Sequence, residues 1–384
     1  MIYAELGVPT LINAAGTVTR LSGGIMAPEV AEAMRQASLA CVDMVAMQAA
    51  ACRAIRAATG AQAGIVTSGA SAAVLLGAAA CLAGLDPGKM NRLPEVADGR
   101  REFVVVRSQR NMYDRAVVVA GGRLVEVGIA DRYSGPGVRD ADAWEVEEAI
   151  GANTAGIYYL AQTQSRPSLR EVVAVARRHG LPVLVDAAAQ LPPSSNLKAY
   201  LEEGADLVCF SGGKAIGGPQ SSGILCGRAD LVASALLQML DLDVDPTTWS
   251  PPAEFSALAQ LRGLPHHGIG RSCKVGKEEI AGLIVALRGF AATDPAALRA
   301  LLLGRARRML GASGEGLSIT EGPVPMLAWH AGAGARRLAA KLLAGKPGIA
   351  CGMGRVDEGV LLFSPMAVTD EQADEIGSRI LALR

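Results

Sequence analysis

The spacing of hydrophobic residues alternates between two periods over the first three quarters of the chain. Short β-branched runs, several of them continuously apolar, alternate with longer segments whose apolar residues recur at helical spacing. The predicted strands are residues 64–67, 103–107, 124–127, 156–160, 182–186, 207–210 and 223–226. The predicted helices include residues 28–58, 71–83, 141–150, 168–178 and 228–240. This order is typical of an α/β fold with a mainly parallel sheet covered on both faces.

The alternation ends near Trp249, where a loop-rich passage begins. A helix is predicted over residues 276–290. The remainder of the chain reads as strands mixed with two helices, residues 335–343 and 369–381. We therefore expect three parts: an N-terminal arm (1–30), a large α/β domain (31–290) and a small C-terminal α+β domain (291–384).

Charge and composition narrow the function classes. The 384 residues include 37 Lys and Arg against 37 Asp and Glu, so the basic surface typical of nucleic-acid or anionic-membrane binding is not expected. The apolar stretch 70–85 would extend about 24 Å as a helix, which is short for a membrane span and typical of a buried core helix. The N-terminus shows no export signal, so a cytoplasmic protein is expected.

The seven cysteines are scattered and form no CxxC pair. Disulfides and a zinc site are therefore not expected, and the cysteines are interpreted as small buried hydrophobic residues. His266 and His267 are adjacent, but no acid or cysteine is spaced to complete a ligand set, so we predict no metal.

The strongest chemical signal is an acid and a lysine that follow two predicted strands. Asp186 ends the apolar run 183–186, and Lys214 follows the run 207–210 within the sequence SGGK. The carboxyl ends of parallel strands face one ligand crevice, so both side chains should reach the same site. A pyridoxal phosphate enzyme needs this pair, because the lysine forms the Schiff base and the carboxylate keeps the pyridine nitrogen protonated. A solvated loop lysine and a turn acid are the alternative.

A turn able to receive the cofactor phosphate should accompany this pair. Residues 65–71 (IVTSGAS) lead from a predicted strand through small residues into a helix, whose first N–H groups attract anions. Ser68, Gly69 and Ala70 are the candidate phosphate contacts. Ser211 and Gln220, on either side of Lys214, are further candidate cofactor contacts. No nucleoside triphosphate motif and no convincing dinucleotide motif is present.

Residues 211–223 (SGGKAIGGPQSSG) resemble the lysine region of the selenocysteine synthase-like group of fold-type I pyridoxal phosphate enzymes. Residues 13–17 (NAAGT) and 270–279 (GRSCKVGKEE) are also similar to that group, and the similarity extends over about residues 11–287. It implies a fold-type I transferase fold with pyridoxal 5'-phosphate in the large domain and the N-terminal arm near the active site. It also implies homodimers or larger assemblies with active sites at subunit interfaces.

Two branches of the group differ in partner. The seryl-tRNA selenium transferases carry an extra tRNA-binding domain, which disfavours that branch because this chain reaches residues 13–17 almost at once. The chain resembles shorter relatives of the D-glucosaminate-6-phosphate ammonia-lyase type, which act on small molecules, and residues 161–168 (AQTQSRPS) resemble a segment beside their cofactor. Arg20, Arg166 and Arg271 are the candidate substrate-binding cations, since a guanidinium can hold both oxygens of a carboxylate.

The chain departs from the fold-type I pattern at two places. The loop after strand 103–107 lacks the usual histidine that stacks on the cofactor, which leaves Asn111, Met112 or Tyr113 as the stacking candidate. Gln190 lies four residues after Asp186, whereas related desulfurases have the equivalent glutamine at three.

The resulting prediction is a pyridoxal phosphate-dependent lyase of the ammonia-lyase or dehydratase type. It would act on a small β-hydroxy amino acid or an amino sugar acid and give an oxo acid and ammonia through a Lys214 Schiff base. An amino-acid racemase or a β-replacement enzyme would use the same residues and is the alternative. A non-catalytic interaction protein on the same fold is the remote alternative.

Overall fold

The computed structural model describes residues 2–97, 99–129, 140–162, 165–245, 247–311 and 314–384. The strands in these residues are β1 (Leu11–Ala14), β2 (Ala63–Thr67), β3 (Glu102–Val106), β4 (Arg123–Val127), β5 (Thr154–Leu160), β6 (Val183–Asp186), β7 (Leu207–Ser211), β8 (Gly223–Gly227), β9 (Leu317–Ile319), β10 (Leu327–His330), β11 (Gly348–Cys351) and β12 (Val360–Phe363).

The α-helices are α1 (Ile2–Glu5), α2 (Pro28–Ala37), α3 (Met44–Thr59), α4 (Ala70–Ala83), α5 (Pro87–Arg92), α6 (Arg115–Val119), α7 (Ala143–Glu148), α8 (Leu169–Arg178), α9 (Asn196–Glu202), α10 (Ala229–Met239), α11 (Lys277–Ala292), α12 (Pro295–Leu310), α13 (Ala335–Leu343) and α14 (Asp370–Leu383). Short 3-10 turns connect several of them.

A seven-stranded sheet with the order β2-β8-β7-β6-β5-β3-β4 forms the centre of the large domain. Its neighbouring strands are parallel except at β8, which runs antiparallel to both β2 and β7. Strands β2, β6, β7 and β8 are buried along almost their whole length because helices cover both faces. The predicted fold class, with a mainly parallel sheet, is confirmed, and all seven predicted strands lie within two residues of their observed ends.

The predicted single helix 28–58 is wrong, because the structure has two helices there. Helix α2 ends at Ala37, and Asp43 begins α3 by accepting a hydrogen bond from the N–H of Ala46 at 2.7 Å. A side chain that caps a new helix satisfies a free N–H and fixes the start of that helix. The apolar residues between the helices continue the helical spacing, which concealed the break.

The C-terminal part contains a third helix that the sequence reading did not include. Asp294 accepts hydrogen bonds from the N–H groups of Ala296 and Ala297, and Pro295 is the first residue of α12. An acidic N-cap followed by proline is a standard helix start, so the signal was present in the sequence.

The small domain is built on a three-stranded antiparallel sheet with the order β12-β10-β9. Strand β1, from the N-terminal arm, pairs in parallel with β11, and its Ile12 and Ala14 join the core of the small domain. A separate and larger core extends from Val30 to Phe290. We therefore propose the three-part division predicted above, with β1 assigned to the small domain.

Helix α4 coincides with the apolar run noted in the sequence, and it is buried along most of its length. Among the described residues, no single helix has both the length and the apolar composition to cross a membrane. Helices α11 and α12 meet that test when taken together, but they bend by 98° where they join.

Candidate active site

Three strand ends meet at one edge of the large sheet. Strands β2, β6 and β7 run in the same direction, so Thr67, Asp186 and Ser211 all lie at their carboxyl ends. Strand β8 starts at this edge, and its Gly223 pairs with both Thr67 and Ser211. Ligands of open α/β sheets bind beyond such carboxyl ends.

Asp186 is the buried acid at this edge, and two donors hold its carboxylate. Its Oδ1 accepts the N–H of Ala188 at 3.0 Å, and its Oδ2 accepts the hydroxyl of Tyr158 at 3.0 Å. Burial raises the pKa of Asp186, while the two hydrogen bonds and the nearby Lys214 act in the opposite direction. The carboxylate is therefore removed from water but held by two hydrogen bonds, which suits a group that must interact with a protonated ring nitrogen.

Lys214 lies in the turn after β7 and faces a cavity of about 1180 Å³ between the two domains. The cavity is also lined by residues 15–20 of the N-terminal arm, by residues 189–193 after β6 and by small-domain residues such as Met326 and Ser364. Burial lowers the pKa of Lys214, and the charge of Asp186 partly offsets this effect. A lysine with a lowered pKa supplies more of the neutral amine that attacks a carbonyl.

The turn between β2 and α4 has the form expected for a phosphate site. Gly69 adopts φ +117°, a conformation that favours glycine, and Ala70 begins the fourteen-residue helix α4. Ser68 donates its hydroxyl to the carbonyl of Cys273 at 2.9 Å, which ties this turn to the segment before α11. A Cβ on Gly223 would lie 2.6 Å from the backbone nitrogen of Ala70, so the sheet approaches the turn as closely as glycine permits.

The N-terminal arm is fastened to the turn that carries Lys214. Asn13 is buried and donates its amide to the carbonyls of Gly16 and Gly23 at 2.8 and 2.7 Å. Gln220 donates its amide to the carbonyl of Thr19 at 2.7 Å, and its side chain is exposed. The structure thus places Gln220 as a link between the arm and the lysine turn, while Ser211 is half-buried at the end of β7.

The three candidate substrate-binding arginines lie in different places. Arg20 lines the large cavity and, among the residues that the structure describes, makes no ion pair. Arg271 pairs with Asp241 at 2.8 Å and lines a second cavity of about 310 Å³. Arg166 is exposed and does not line either cavity in the described part of the chain. Thr163 and Gln164, from the segment 161–168, fall outside the described residues.

The loop after β3 offers one stacking candidate to the cavity. Tyr113 lines the cavity, whereas Met112 is highly exposed and Asn111 accepts the N–H of Tyr113 as a helix cap. Gln190 also lines the cavity, and its carbonyl accepts the amide of Asn196 at 2.7 Å.

Tyr158 was missed in the sequence because it lies in a continuously apolar run of β5 and looks like a core residue. The hydrogen bond from its hydroxyl to Asp186 can be inferred only once the pairing of β5 with β6 is known.

These features can be compared with known proteins. The family model SelA, described as L-seryl-tRNA selenium transferase, matches residues 11–243. The chain belongs to the SelA family. Its large domain carries most of the match, including both strand ends with Asp186 and Lys214.

Curated SelA-family relatives differ in their named activities. A 5'-C-glycyluridine monooxygenase-decarboxylase from Streptomyces sp is 33% identical over 302 residues, which are 76% of this chain and 66% of that protein. The D-glucosaminate-6-phosphate ammonia lyase of Salmonella typhimurium is 31% identical over 297 residues, 75% of this chain and 70% of that protein. An L-seryl-tRNA(Sec) selenium transferase from Desulfovibrio desulfuricans is 34% identical over 144 residues, 30% of each chain.

Among solved structures, a D-glucosaminate-6-phosphate ammonia-lyase superposes with a TM-score of 0.79 at 27% identity, and the match covers 99% of this chain and 97% of that one. The predicted family and fold-type I fold are thereby confirmed, as is pyridoxal 5'-phosphate as the cofactor of this enzyme. The residues fit the cofactor, since a lysine, a buried carboxylate and a glycine-shaped helix start meet at one sheet edge.

Proposed function

We propose that this SelA-family enzyme is a pyridoxal phosphate-dependent lyase that removes water and ammonia from a small β-hydroxy amino acid or an amino sugar acid. The observation that carries the proposal is that Asp186 and Lys214 follow neighbouring strands and interact electrostatically, and that Lys214 lines one large cavity. The 31% identity to an ammonia lyase, over three quarters of the chain, supports the lyase class. The cofactor, when bound, supplies an electron sink that stabilises a carbanion at the substrate α-carbon.

Lys214 has two tasks in this proposal. Its Nζ would hold the cofactor, and its neutral amine would take the α-proton of the substrate. The lowered pKa of Lys214 favours the neutral amine that this second task requires. Asp186 would hold the proton of the ring nitrogen through its negative charge, and its two hydrogen-bond donors fix the orientation of the carboxylate.

The remaining groups would bind the cofactor phosphate and the substrate carboxylate. The N–H groups at Gly69 and Ala70 would receive the cofactor phosphate at the positive end of α4, while the Ser68 hydroxyl, which donates to the carbonyl of Cys273, holds this turn in place. Arg20 lines the cavity without an ion pair in the described residues, so it is the cation best placed for a substrate carboxylate.

The overall reaction balances without a further reagent. The substrate loses its α-hydrogen and β-hydroxyl as water, and the released enamine then takes up one water molecule to give an oxo acid and ammonia. Racemisation needs only return of the α-proton, and β-replacement needs a thiol or selenide nucleophile, so both remain alternatives for the same residues.

A decarboxylating oxidation is the second candidate, and one observation favours it. The relative that is 33% identical over 302 residues is named a monooxygenase-decarboxylase. Such a reaction would consume dioxygen and release carbon dioxide, which elimination does not.

We also infer that the enzyme works as a homodimer or larger homo-oligomer in the cytoplasm, with a small molecule as its partner. Exposed apolar side chains on the connection between α2 and α3 support an oligomer, since Leu39 is 72% and Val42 50% exposed. Analytical ultracentrifugation measures the assembly size, and a monomer at micromolar concentration would contradict this inference.

The first experiment is borohydride reduction of the holoenzyme followed by peptide mass analysis. A pyridoxyl adduct on Lys214 is expected in wild type and in Lys198→Ala, whose lysine is exposed on α9, and none is expected in Lys214→Ala. An adduct on another lysine would contradict the assignment. The second experiment incubates the holoenzyme with D- and L-β-hydroxy amino acids and amino sugar acids. Ammonia with oxo acid supports the proposal, whereas racemisation alone, or oxygen uptake with carbon dioxide release, favours an alternative.

A further inference from the structure

The register of the sheet brings Tyr158 to Asp186. Tyr158 pairs with Leu184 across β5 and β6, and Leu160 pairs with Asp186. Residues two apart on a strand share a face, so Tyr158 lies diagonally opposite Asp186 on the same side of the sheet. A tyrosine is long enough to cover that diagonal, and its hydroxyl meets Oδ2 of Asp186 at 3.0 Å.

Both partners are removed from water. Tyr158 is 0% exposed and Asp186 is 4% exposed. Burial and the neighbouring Asp186 charge raise the pKa of Tyr158, so its hydroxyl keeps its proton and acts as a donor. A hydrogen bond to a charged group in such a place is stronger than one between neutral groups.

The titratable groups around Asp186 come from three directions. Tyr158 faces it from β5, Cys209 is its pairing partner on β7, and Lys214 lies in the following turn. Asp114, from the connection before α6, acts on Tyr158. Burial raises the pKa of the Cys209 thiol well above its usual range, so this neighbour is neutral.

We propose that Tyr158 is a positioning residue that keeps Asp186 ionised and oriented toward the ring nitrogen of the cofactor. The inference rests on the proposed function and adds a residue to it. Tyr158 is fully buried and its hydroxyl is bonded to Asp186, so it acts through Asp186 and not by contact with substrate. Its hydroxyl occupies one oxygen of the carboxylate and the Ala188 N–H the other, which leaves a lone pair free for the ring proton.

The chain supplies a matched control in the next residue. Tyr159 is also buried, but strand alternation turns it to the opposite face, where its hydroxyl donates to the carbonyl of Pro167 at 3.3 Å. Tyr158→Phe and Tyr159→Phe therefore remove the same atom from the same strand. One of them affects Asp186 and the other does not.

The test measures the affinity of the apoenzyme for pyridoxal 5'-phosphate and the absorbance spectrum of the bound cofactor from pH 6 to 9. Tyr158→Phe should weaken the affinity about 10-fold to 100-fold, the usual range for a hydrogen bond to a charged group. The loss should be larger at pH 6 than at pH 8, since Asp186 without its donor has a higher pKa and becomes protonated as the pH falls. Tyr159→Phe should stay within about 2-fold of wild type at each pH.

A double-mutant cycle separates positioning from packing. In an Asp186→Asn background, removal of the Tyr158 hydroxyl should change the affinity by less than about 2-fold, because the carboxylate charge that the hydroxyl supports has already been removed. An equal loss in both backgrounds, or equal effects of the two tyrosine variants, would overturn the inference. If wild type gives the Lys214 adduct but Tyr158→Phe binds the cofactor as wild type does, only this inference is refuted. A wild-type enzyme without the adduct refutes the proposed function.

Discussion

Gly223 is a position where a single methyl group should disturb the proposed cofactor site directly. Gly223 begins β8 and pairs with the ends of both β2 and β7. A Cβ at this position would lie 2.6 Å from the nitrogen of Ala70 and 2.7 Å from the carbonyl oxygen of Gly69, and it would also meet the carbonyl carbon of Gly69. All three atoms are backbone, so no side chain can rotate away.

The size of the effect follows from the overlap. Ordinary van der Waals contact begins at 3.4 Å, so in Gly223→Ala the turn must move away from β8 by at least roughly 0.8 Å. Overpacking of this kind costs about 1–3 kcal/mol of stability, and the shift misaligns the N–H groups proposed to hold the phosphate. We expect the affinity for pyridoxal 5'-phosphate to fall by about 10-fold to 100-fold, with a well-folded apoenzyme.

Equilibrium titration of the apoenzyme with the cofactor, together with thermal unfolding of apo and holo protein, measures both effects. Gly263→Ala is the control, because a Cβ there meets nothing within 4 Å. The control should match wild type in both assays. An affinity of Gly223→Ala within about 2-fold of wild type would refute the assignment of this turn as the phosphate site.

Three further changes test other parts of the structure. Lys214→Met should stabilise the apoenzyme at pH 7, because burial lowers the pKa of Lys214. In denaturant unfolding, the stability advantage of Lys214→Met over wild type should shrink as the pH rises toward 10.5, the ordinary pKa of lysine, because wild type gains stability over that range. An advantage that stays constant with pH would contradict this reasoning. Gly289→Ala, in α11 with open space around it, should raise the free energy of unfolding by about 0.5–1 kcal/mol, and a decrease would contradict the helix assignment. Arg20→Gln should raise KM about 10-fold or more with a smaller change in kcat, while exposed Arg288→Gln should leave both unchanged. Equal effects of the two would exclude Arg20 as the substrate cation.

The sheet and its two principal residues could be predicted from the sequence because their signals are local. Continuously apolar runs identify buried parallel strands, and Asp186 and Lys214 follow two of them directly. The helix break between α2 and α3 was missed since Leu39 and Val42 continue the apolar spacing although both are exposed. A surface covered by another subunit would carry the same pattern as a core, so spacing alone does not distinguish them.

Partners that are distant in the sequence could not be predicted. Tyr158 meets Asp186 across 28 residues, and Arg271 meets Asp241 across 30. Each contact depends on the register or the packing of separate elements, which no local pattern records. The separation of Arg20 from Arg271 into two cavities has the same origin, although the sequence predicts both as substrate-binding cations.

The reversed direction of β8 has a consequence for how the site tolerates change. Thr67, Gly223 and Ser211 form one row across three hydrogen-bonded strands, so two strand spacings, about 10 Å, separate the turn proposed to hold the phosphate from the turn that carries Lys214. This distance is set by the hydrogen-bonded strand backbones and not by the loops that connect the strands. Insertions in the surrounding loops can therefore alter what the cavity accepts while the two attachment points of the cofactor keep their separation. Chemistry and specificity can change independently in such a scaffold.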